Sequence, residues 1–240
     1  FMTAHYDKIG IVGAMAVEVE TLKAAMEKEG AVKAIDVCGM TFCSGVLKGQ
    51  AVVVVQCGVG MVNAATCTQT LVGRLDCDAI INTGVAGSLD AVINIGDIVV
   101  GTDAVNHVMD VANLGYEPGQ TPDLGVRFFP TDEPLADIIC SVSDRLGVAT
   151  HRGRIASGDR FVREAEDKAR IVELFDALCC EMEGAAIAQV CWLNKVPCAL
   201  VRAISDKADG SASVDYPAFE AKAAHDCAGI VMGLLERMGR

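Results

Sequence analysis

The sequence lacks several features that would place it in a common functional class. No uninterrupted apolar run approaches the ~20 residues of a membrane span, and no basic segment with a cleavage site lies near its start. Basic residues are few, with 20 Lys and Arg against 32 Asp and Glu, so the formal net charge at pH 7 is −12. Nucleic acid and anionic membranes are bound by basic patches. We therefore expect neither as a partner.

Cysteine is plentiful but shows no pattern of disulfide or metal chemistry. The eleven cysteines are odd in number and scattered, and they form neither a C-x-x-C pair nor a Cys/His ligand spacing. Most lie within apolar runs, as buried free cysteine usually does. The sequence therefore predicts reduced cysteines, a cytoplasmic location, no metal and no cofactor.

Apolar residues are abundant enough for one large core. Hydrophobic residues make up 52% of the 240 positions and charged residues 22%. Apolar runs of strand length alternate with helical patterns, without a linker or an internal repeat. This alternation predicts a single α/β domain over residues 1–240, with a central, mostly parallel twisted sheet flanked by helices. Phe1 precedes Met2, the expected initiator, and is interpreted as an added residue.

The predicted strands end in small or functional residues. Ligands of such folds bind beyond the carboxyl ends of the strands, so we expect these ends to form one site. A long irregular connection over 106–131 has the length typical of a lid or an interface, and a polar loop is expected at 207–215. The five strand ends are 15–18, 58–60, 84–87, 158–162 and 205–206, of which 84–87 is predicted to be a turn.

Four acidic residues fall at or near these strand ends. They are Glu18, Glu181, Glu183 and Asp206, and Arg202 lies inside the most apolar strand. A buried arginine needs an anionic partner, and the sequence leaves open which acid that is. One ion pair leaves an excess of acids, which favours general acid–base chemistry or hydroxyl binding.

Six motifs occur in the order typical of one family. The chain resembles the 5′-methylthioadenosine/S-adenosylhomocysteine nucleosidases of the purine nucleoside phosphorylase superfamily over residues 8–238. The resemblance implies a nucleoside-phosphorylase-like fold and hydrolysis of the N-glycosidic bond of those two nucleosides, with release of adenine. It also implies a small-molecule nucleoside as partner and a homodimer. The motifs are KIGIVGAM (8–15) with Glu18, CGVG (57–60), NTGVAG (82–87), SGDRF (157–161), EME (181–183) and RAISD (202–206).

The resemblance further implies a role for each matching residue. Glu18 would activate the attacking water with Arg202 beside it, and Asp206, held by Ser205, would protonate adenine at N7. Glu183 would accept the ribose hydroxyls. The remaining implied substrate contacts are Phe161 and Val162 at the purine, Met15, Val59, Met182, Tyr216 and Phe219 around the 5′ substituent, Leu114 and Tyr116 lent to the partner's pocket, and Ala86 and Gly87.

The sequence favours water over phosphate as the attacking group. A phosphorylase binds a multiply charged anion, normally with arginines, but the first arginine in the chain is Arg74 and the first strand leads to Glu18. Val85 also stands where the family usually has a small hydroxyl residue, which leaves placement of the water to Glu18 and Arg202. The alternatives are an N-ribosyl hydrolase for a futalosine-type nucleoside or 5′-deoxyadenosine, a purine nucleoside phosphorylase, and a non-catalytic nucleoside-binding protein.

Overall fold

The computed structural model describes residues 5–209 and 212–238, with side chains omitted for 212–214. Phe1, both ends of the predicted 1–240 domain and part of the loop predicted at 207–215 therefore lie outside the described residues. Within them the predicted α/β class is confirmed. No helix in this part of the chain is both long and apolar enough to cross a membrane.

Strands and helices alternate along the described chain. A short 3₁₀ turn, Ala112–Leu114, interrupts the long connection before β7. The strands are β1 (Ile9–Gly13), β2 (Lys33–Val37), β3 (Met40–Leu47), β4 (Gln50–Gln56), β5 (Ala79–Ser88), β6 (Ile98–Asn106), β7 (Phe129–Pro130), β8 (Thr150–Ser157), β9 (Ala177–Glu181) and β10 (Cys198–Asp206). The helices are α1 (Ala16–Glu29), α2 (Met61–Leu75), α3 (Glu133–Leu146), α4 (Ala165–Phe175), α5 (Gly184–Asn194) and α6 (Ala212–Met238).

Strand β5 is the centre of the sheet because it pairs with three other strands. It runs parallel to β1 and β10 and antiparallel to β9. Strands β5, β10, β6, β8 and β9 close into a ring, and β1, β4, β3 and β2 extend from β5. Among the described residues the sheet is mixed, with parallel pairing in five of ten strand pairs, fewer than the mostly parallel sheet that was predicted. Tight connections such as those joining β2, β3 and β4 permit only antiparallel pairing.

The antiparallel pairing of β9 with β5 brings their carboxyl ends together. Gly87 lies opposite Cys180, and Ser88 lies opposite Cys179. On its other edge β5 pairs with β10 as far as Gly87 and Asp206. The ends of three strands therefore meet at one place, as the sequence predicted for its strand ends.

The prediction of a turn at 84–87 is wrong, because β5 continues as a strand to Ser88. These residues are small for another reason. A Cβ atom on Gly84 would lie 2.6 Å from Oε1 of Glu18, and one on Gly87 would lie 2.7 Å from Oδ1 of Asp206. Glycine inside a strand often marks such a close approach. This part of the strand has small residues because acidic side chains pack against its backbone.

Helices cover both faces of the sheet, as the alternation of elements predicted. Helices α1, α3 and α6 pack together on one face, and α2 and α5 pack on the other. Strand β2 was not predicted; it is an exposed edge strand whose one pairing partner in the described residues is β3. The turn joining the two has positive φ at Cys38 (54°) and Gly39 (73°), as two-residue hairpin loops require.

Candidate functional site

A cavity of about 210 Å³ opens where the carboxyl ends of the strands meet. It brings together residues from β5, β9 and β10 and from the segments that follow β1, β4 and β8. Most of the residues predicted to contact a substrate are among its lining. The lining consists of Ala14, Met15, Glu18, Val59, Val85, Ala86, Gly87, Arg160, Phe161, Val162, Cys180, Glu181, Met182, Glu183, Ser205, Asp206 and Tyr216.

Glu18 lies in the first turn of α1, directly after β1, and is 4% exposed. Its Oε2 accepts hydrogen bonds from the backbone N–H groups of Ala14 (2.6 Å) and Met15 (2.9 Å). Its Oε1 accepts one from the N–H of Val85 on β5 (3.1 Å). Burial raises the pKa of Glu18, although these N–H groups and the charge of Arg202 oppose the rise. The carboxyl group is thus fixed in position and made more basic.

Glu183 immediately precedes α5 and is 7% exposed. Its Oε1 accepts a hydrogen bond of 2.7 Å from the N–H of Gly60, which has a φ of 102°. Burial, and next the neighbouring Glu181 carboxylate, raise the pKa of Glu183 to about 7. Besides this one N–H contact, the carboxyl group faces the cavity with unused acceptor capacity.

Glu181 and Arg202 form the buried ion pair that the sequence left unassigned. Nη2 of Arg202 lies 2.5 Å from Oε2 of Glu181, and neither side chain is more than 3% exposed. Arg202 also donates to Asn82, through both its backbone carbonyl and its side chain. Burial disfavours the charged arginine, but the Glu181 carboxylate outweighs this and raises the pKa of Arg202.

The Glu181 carboxylate has little capacity left for a ligand. It accepts hydrogen bonds from the Ser157 hydroxyl and from the N–H groups of Glu183 (3.1 Å) and Gly184 (2.8 and 3.0 Å), as well as from Arg202. A buried pair with this many donors is a supporting structure. Glu181 therefore holds the β9–α5 junction from which Glu183 projects.

Asp206 ends β10 and is 2% exposed. Its Oδ2 accepts from the Ser205 hydroxyl (3.0 Å), and its Oδ1 accepts from the N–H of Ala208 (2.8 Å). Burial raises the pKa of Asp206 while these two hydrogen bonds oppose the rise, and Asp215 and Asp209 raise it further. A buried carboxyl group whose donors in the described residues are a hydroxyl and a backbone N–H is suited to carry a proton.

Two aromatic side chains stand over the cavity. Phe161 and Tyr216 meet edge to face, with ring centroids 5.5 Å apart and an interplanar angle of 77°. The Tyr216 hydroxyl donates to the sulfur of Met15 at 3.2 Å. Phe161 remains 43% exposed, so its ring offers a free face for a flat ligand.

Four predicted site residues do not line the cavity. Arg202 is bound to Glu181 and does not line the cavity, although its charge acts on Glu18. Phe219 on α6 is 40% exposed, and Leu114 and Tyr116 lie in the long connection, where Leu114 is 67% exposed. None of these three contributes to the cavity of a single chain.

Three lining residues were not singled out from the sequence. Ala14 lies between β1 and Glu18, Cys180 faces Gly87 across the β5–β9 pairing, and Arg160 is adjacent to Phe161. Cys180 resembles any cysteine in an apolar run, so only the strand register reveals it. In the described residues no group of His, Cys, Asp and Glu side chains has an arrangement that would hold a metal ion.

Comparison of the sequence with known proteins identifies the family of this chain. The profile of the phosphorylase superfamily matches residues 8–236. A 5′-methylthioadenosine/S-adenosylhomocysteine nucleosidase of Staphylococcus aureus is 38% identical over 231 residues, which cover 96% of this chain and 100% of the relative.

Solved structures of similar proteins agree. A nucleosidase of the same name from Neisseria meningitidis, in complex with methylthio-immucillin-A, has a TM-score of 0.92 at 36% identity and covers 96% of this chain and 99% of its own. One from Colwellia psychrerythraea, in complex with adenine, has a TM-score of 0.92 at 34% identity and covers 98% of both chains. The chain belongs to the phosphorylase superfamily and, within it, to the 5′-methylthioadenosine/S-adenosylhomocysteine nucleosidase family.

Proposed function

We propose that the chain hydrolyses the N-glycosidic bond of 5′-methylthioadenosine and S-adenosylhomocysteine and releases adenine. The observation that carries the proposal is the convergence of Glu18, Glu183 and Asp206 on one cavity from three separate strand ends. The exposed face of Phe161 beside them suits a purine ring. The names and ligands of the similar proteins support the same substrate class.

The three acids divide the reaction among them. The bond between C1′ and N9 breaks, its electron pair passes to N9, and the proton of Asp206 passes to N7 of adenine. The ribose becomes cationic at C1′, as in other glycoside hydrolyses, and the nearby carboxylates stabilise it. A water oxygen then bonds to C1′, and its proton passes to Glu18. Glu18 then releases its proton to solvent, and Asp206 takes up a proton from solvent.

Burial and hydrogen bonding act in different directions on the protonation states that this scheme needs. Asp206 must hold a proton to give to adenine, and its raised pKa favours the protonated form. Glu18 must be ionised to accept a proton, and the three N–H groups around it stabilise the carboxylate. Glu183, bound by only one N–H group, keeps acceptor capacity for two ribose hydroxyls.

Water fits the cavity better than phosphate as the attacking group. Arg160 is the only basic residue in the described lining, and it already pairs with Asp167. Arg202 is occupied by Glu181. A phosphate ion beside Glu18 would meet a carboxylate and find no free cation. Adenine release that required added phosphate would make the phosphorylase alternative correct.

A homodimer and a cytoplasmic location complete the proposal. Leu114 and Val108 in the long connection are exposed apolar residues, as are Val59 and Val62 near the cavity. A second copy would cover such a surface and would bring Leu114 and Tyr116 to its partner's pocket. All eleven cysteines are unpaired, as expected in a reducing compartment.

The substitution Glu18→Gln tests the proposed base. The amide retains an oxygen to accept from the backbone but cannot take a proton, so we expect kcat for methylthioadenosine to fall by about 10²- to 10⁴-fold. Glu20→Gln, an exposed position on the same helix, is the matched control. Free adenine would be measured with and without phosphate. Full activity of the Glu18 variant would refute the mechanism.

A nucleoside panel tests the substrate class separately. Methylthioadenosine, adenosylhomocysteine, 5′-deoxyadenosine and a futalosine-type nucleoside would be compared by kcat/KM. We expect the two adenosine thioethers to be the best substrates. Preferential cleavage of the futalosine-type nucleoside or 5′-deoxyadenosine would support the alternative hydrolase, and tight binding without any turnover would support the non-catalytic alternative.

A further inference from the structure

Lys168 joins two strand ends from outside the cavity. It lies on α4, and its ammonium group donates to the backbone carbonyl of Ser88 at 3.0 Å and to that of Lys207 at 2.7 Å. Ser88 ends β5, and Lys207 follows Asp206 at the end of β10. The side chain itself does not line the cavity. One partly buried lysine thus links the end of β5 to the residue that directly follows Asp206.

The turn that Lys168 fastens is strained and orients the proposed acid. Ala208 has a φ of 50°, in the left-handed region that alanine rarely adopts, and it is fully buried. Such a conformation persists only where the surroundings enforce it. The N–H of Ala208 in turn donates to Oδ1 of Asp206. The orientation of the Asp206 carboxyl group therefore depends on a turn that needs external support.

A second lysine restrains the same turn from the other side. The ammonium group of Lys207 donates to the carbonyl of Ile93, in the loop that follows β5. Lys168 thus binds the backbone carbonyl of Lys207, and the side chain of Lys207 binds the loop that follows β5. Without Lys168 the carbonyls of Ser88 and Lys207 would lose a charged donor in a partly buried place.

We propose that Lys168 is a positioning residue for the proton transfer to the leaving adenine. It acts through the 206–208 turn, which keeps the Asp206 carboxyl group aimed at the purine. The inference rests on the proposed function, because it assigns Lys168 a role only through Asp206. Loss of Lys168 should therefore slow departure of adenine and leave binding of the nucleoside largely intact.

A double-mutant cycle tests this role. Lys168→Met retains the length of the side chain but removes the ammonium group, and we expect kcat for methylthioadenosine to fall by about 10- to 100-fold with little change in KM. In an Asp206→Asn background the same change should cost nothing further. Lys168→Arg, which retains the charge and donors for both carbonyls, should recover most of the activity. Circular dichroism and thermal unfolding would check folding of each variant.

The double-mutant cycle requires that the Asp206→Asn variant still releases measurable adenine. A second substrate tests the same role without this requirement. The 5′-methylthio riboside of 4-nitrophenol has a leaving group that needs no proton, so Lys168→Met and Asp206→Asn should both cleave it at the wild-type rate. Lys8→Met is the matched control, because Lys8 donates to the carbonyl of Leu75 at 2.9 Å, away from the cavity. It should show no selective loss with adenine as leaving group.

The outcomes separate the two proposals. Equal losses by Lys168→Met on both substrates, a loss that persists in the Asp206→Asn background, or no loss at all would overturn the role of Lys168 alone. An Asp206→Asn variant without leaving-group selectivity would overturn Asp206 as the acid, and the role of Lys168 with it. A wild-type protein that releases no adenine would overturn the proposed function itself.

Discussion

Carboxylates of similar chemistry acquire different properties in this site through burial and hydrogen bonding. Glu181 is saturated by an arginine, a hydroxyl and backbone N–H groups. Glu18 is held by three N–H groups, Glu183 by one, and Asp206 by one N–H group and one hydroxyl. The number of donors decides which acid supports the structure and which remains available to a ligand.

The raised pKa of Glu183 predicts a pH-dependent gain in stability from Glu183→Gln. Folding raises this pKa from 4.5 to about 7, so ionisation in the folded state carries a cost that is absent below pH 4.5 and complete above pH 7. Glutamine avoids that cost and can still accept from Gly60. We expect the gain in free energy of unfolding to be about 2–3 kcal/mol larger at pH 8.5 than at pH 5.

Urea unfolding at the two pH values measures this gain. The exposed control Glu20→Gln should show almost no difference between them. A Glu183 variant whose gain is the same at both pH values would show that the carboxyl group has an ordinary pKa. The variant should also lose kcat/KM for methylthioadenosine, because an amide accepts two ribose hydroxyls less well than a carboxylate does.

Val85 is the residue at which a gain of activity is expected. Its side chain lines the cavity beside Glu18, and its own N–H binds that carboxylate. Val85→Thr exchanges one methyl group for a hydroxyl that can hold the attacking water, at nearly constant shape. One added hydrogen bond is worth about 1 kcal/mol, so kcat should rise about threefold to tenfold. An unchanged or lower kcat, measured by adenine release, would show that Glu18 alone places the water.

At the scale of elements, β5 determines the geometry of the site. Its backbone is the surface against which Glu18 and Asp206 pack, and it joins β1, β10 and β9. This explains why a strand buried along its whole length ends in glycine, alanine and serine. Larger side chains would stabilise the strand but would occupy the places of the acids.

Gly84→Ala tests this constraint. The added Cβ would lie 2.6 Å from Oε1 of Glu18, which is too close, so the carboxyl group must move. A displacement of this size at a reacting group can cost about 100-fold in kcat. Gly45→Ala in β3 is the control, because its nearest neighbour, at 3.1 Å, is the flexible end of Met26. Similar kcat values for the two variants, with both folded, would contradict the prediction.

At the scale of the whole molecule, apolar residues that line the cavity of one chain remain exposed, and a partner subunit could cover them. Phe161 is 43% exposed and Val59 48% exposed, although both line the cavity. Apolar side chains that face a ligand are normally shielded from water on their other side. The proposed dimer would supply that shield from the long connection.

Leu114→Glu tests the contribution of a second copy. A charge at the centre of an apolar interface opposes association, so we expect the wild-type protein to sediment as a dimer and the variant as a monomer. The variant should also show a higher KM for methylthioadenosine. The control Val92→Glu alters a residue that is equally exposed (70% against 67%) but lies outside the long connection. A wild-type monomer with full activity would refute the proposal.

Much of the fold was predictable because its elements are locally determined. The sequence pattern predicts helices over 16–29 and 133–146 and a strand over 150–157, and the observed bounds of α1, α3 and β8 agree with these. A continuous apolar pattern with clear breaks marks each of them. The motifs likewise identified Glu18, Glu183 and Asp206 as cavity residues. Strand β2 was not predicted, because an exposed edge strand has no buried face and therefore no alternation of apolar and polar residues.

The sequence by itself determined the fold class, the family resemblance and the acids at the strand ends, because these depend on periodicity and motif order within short stretches. Only the tertiary structure decided that Arg202 pairs with Glu181, that residues 84–87 continue a strand, and that Lys168 reaches the Asp206 turn. Each of these depends on register between strands or helices far apart in the chain. No local pattern records such a register, because it is set by packing of the closed sheet as a whole.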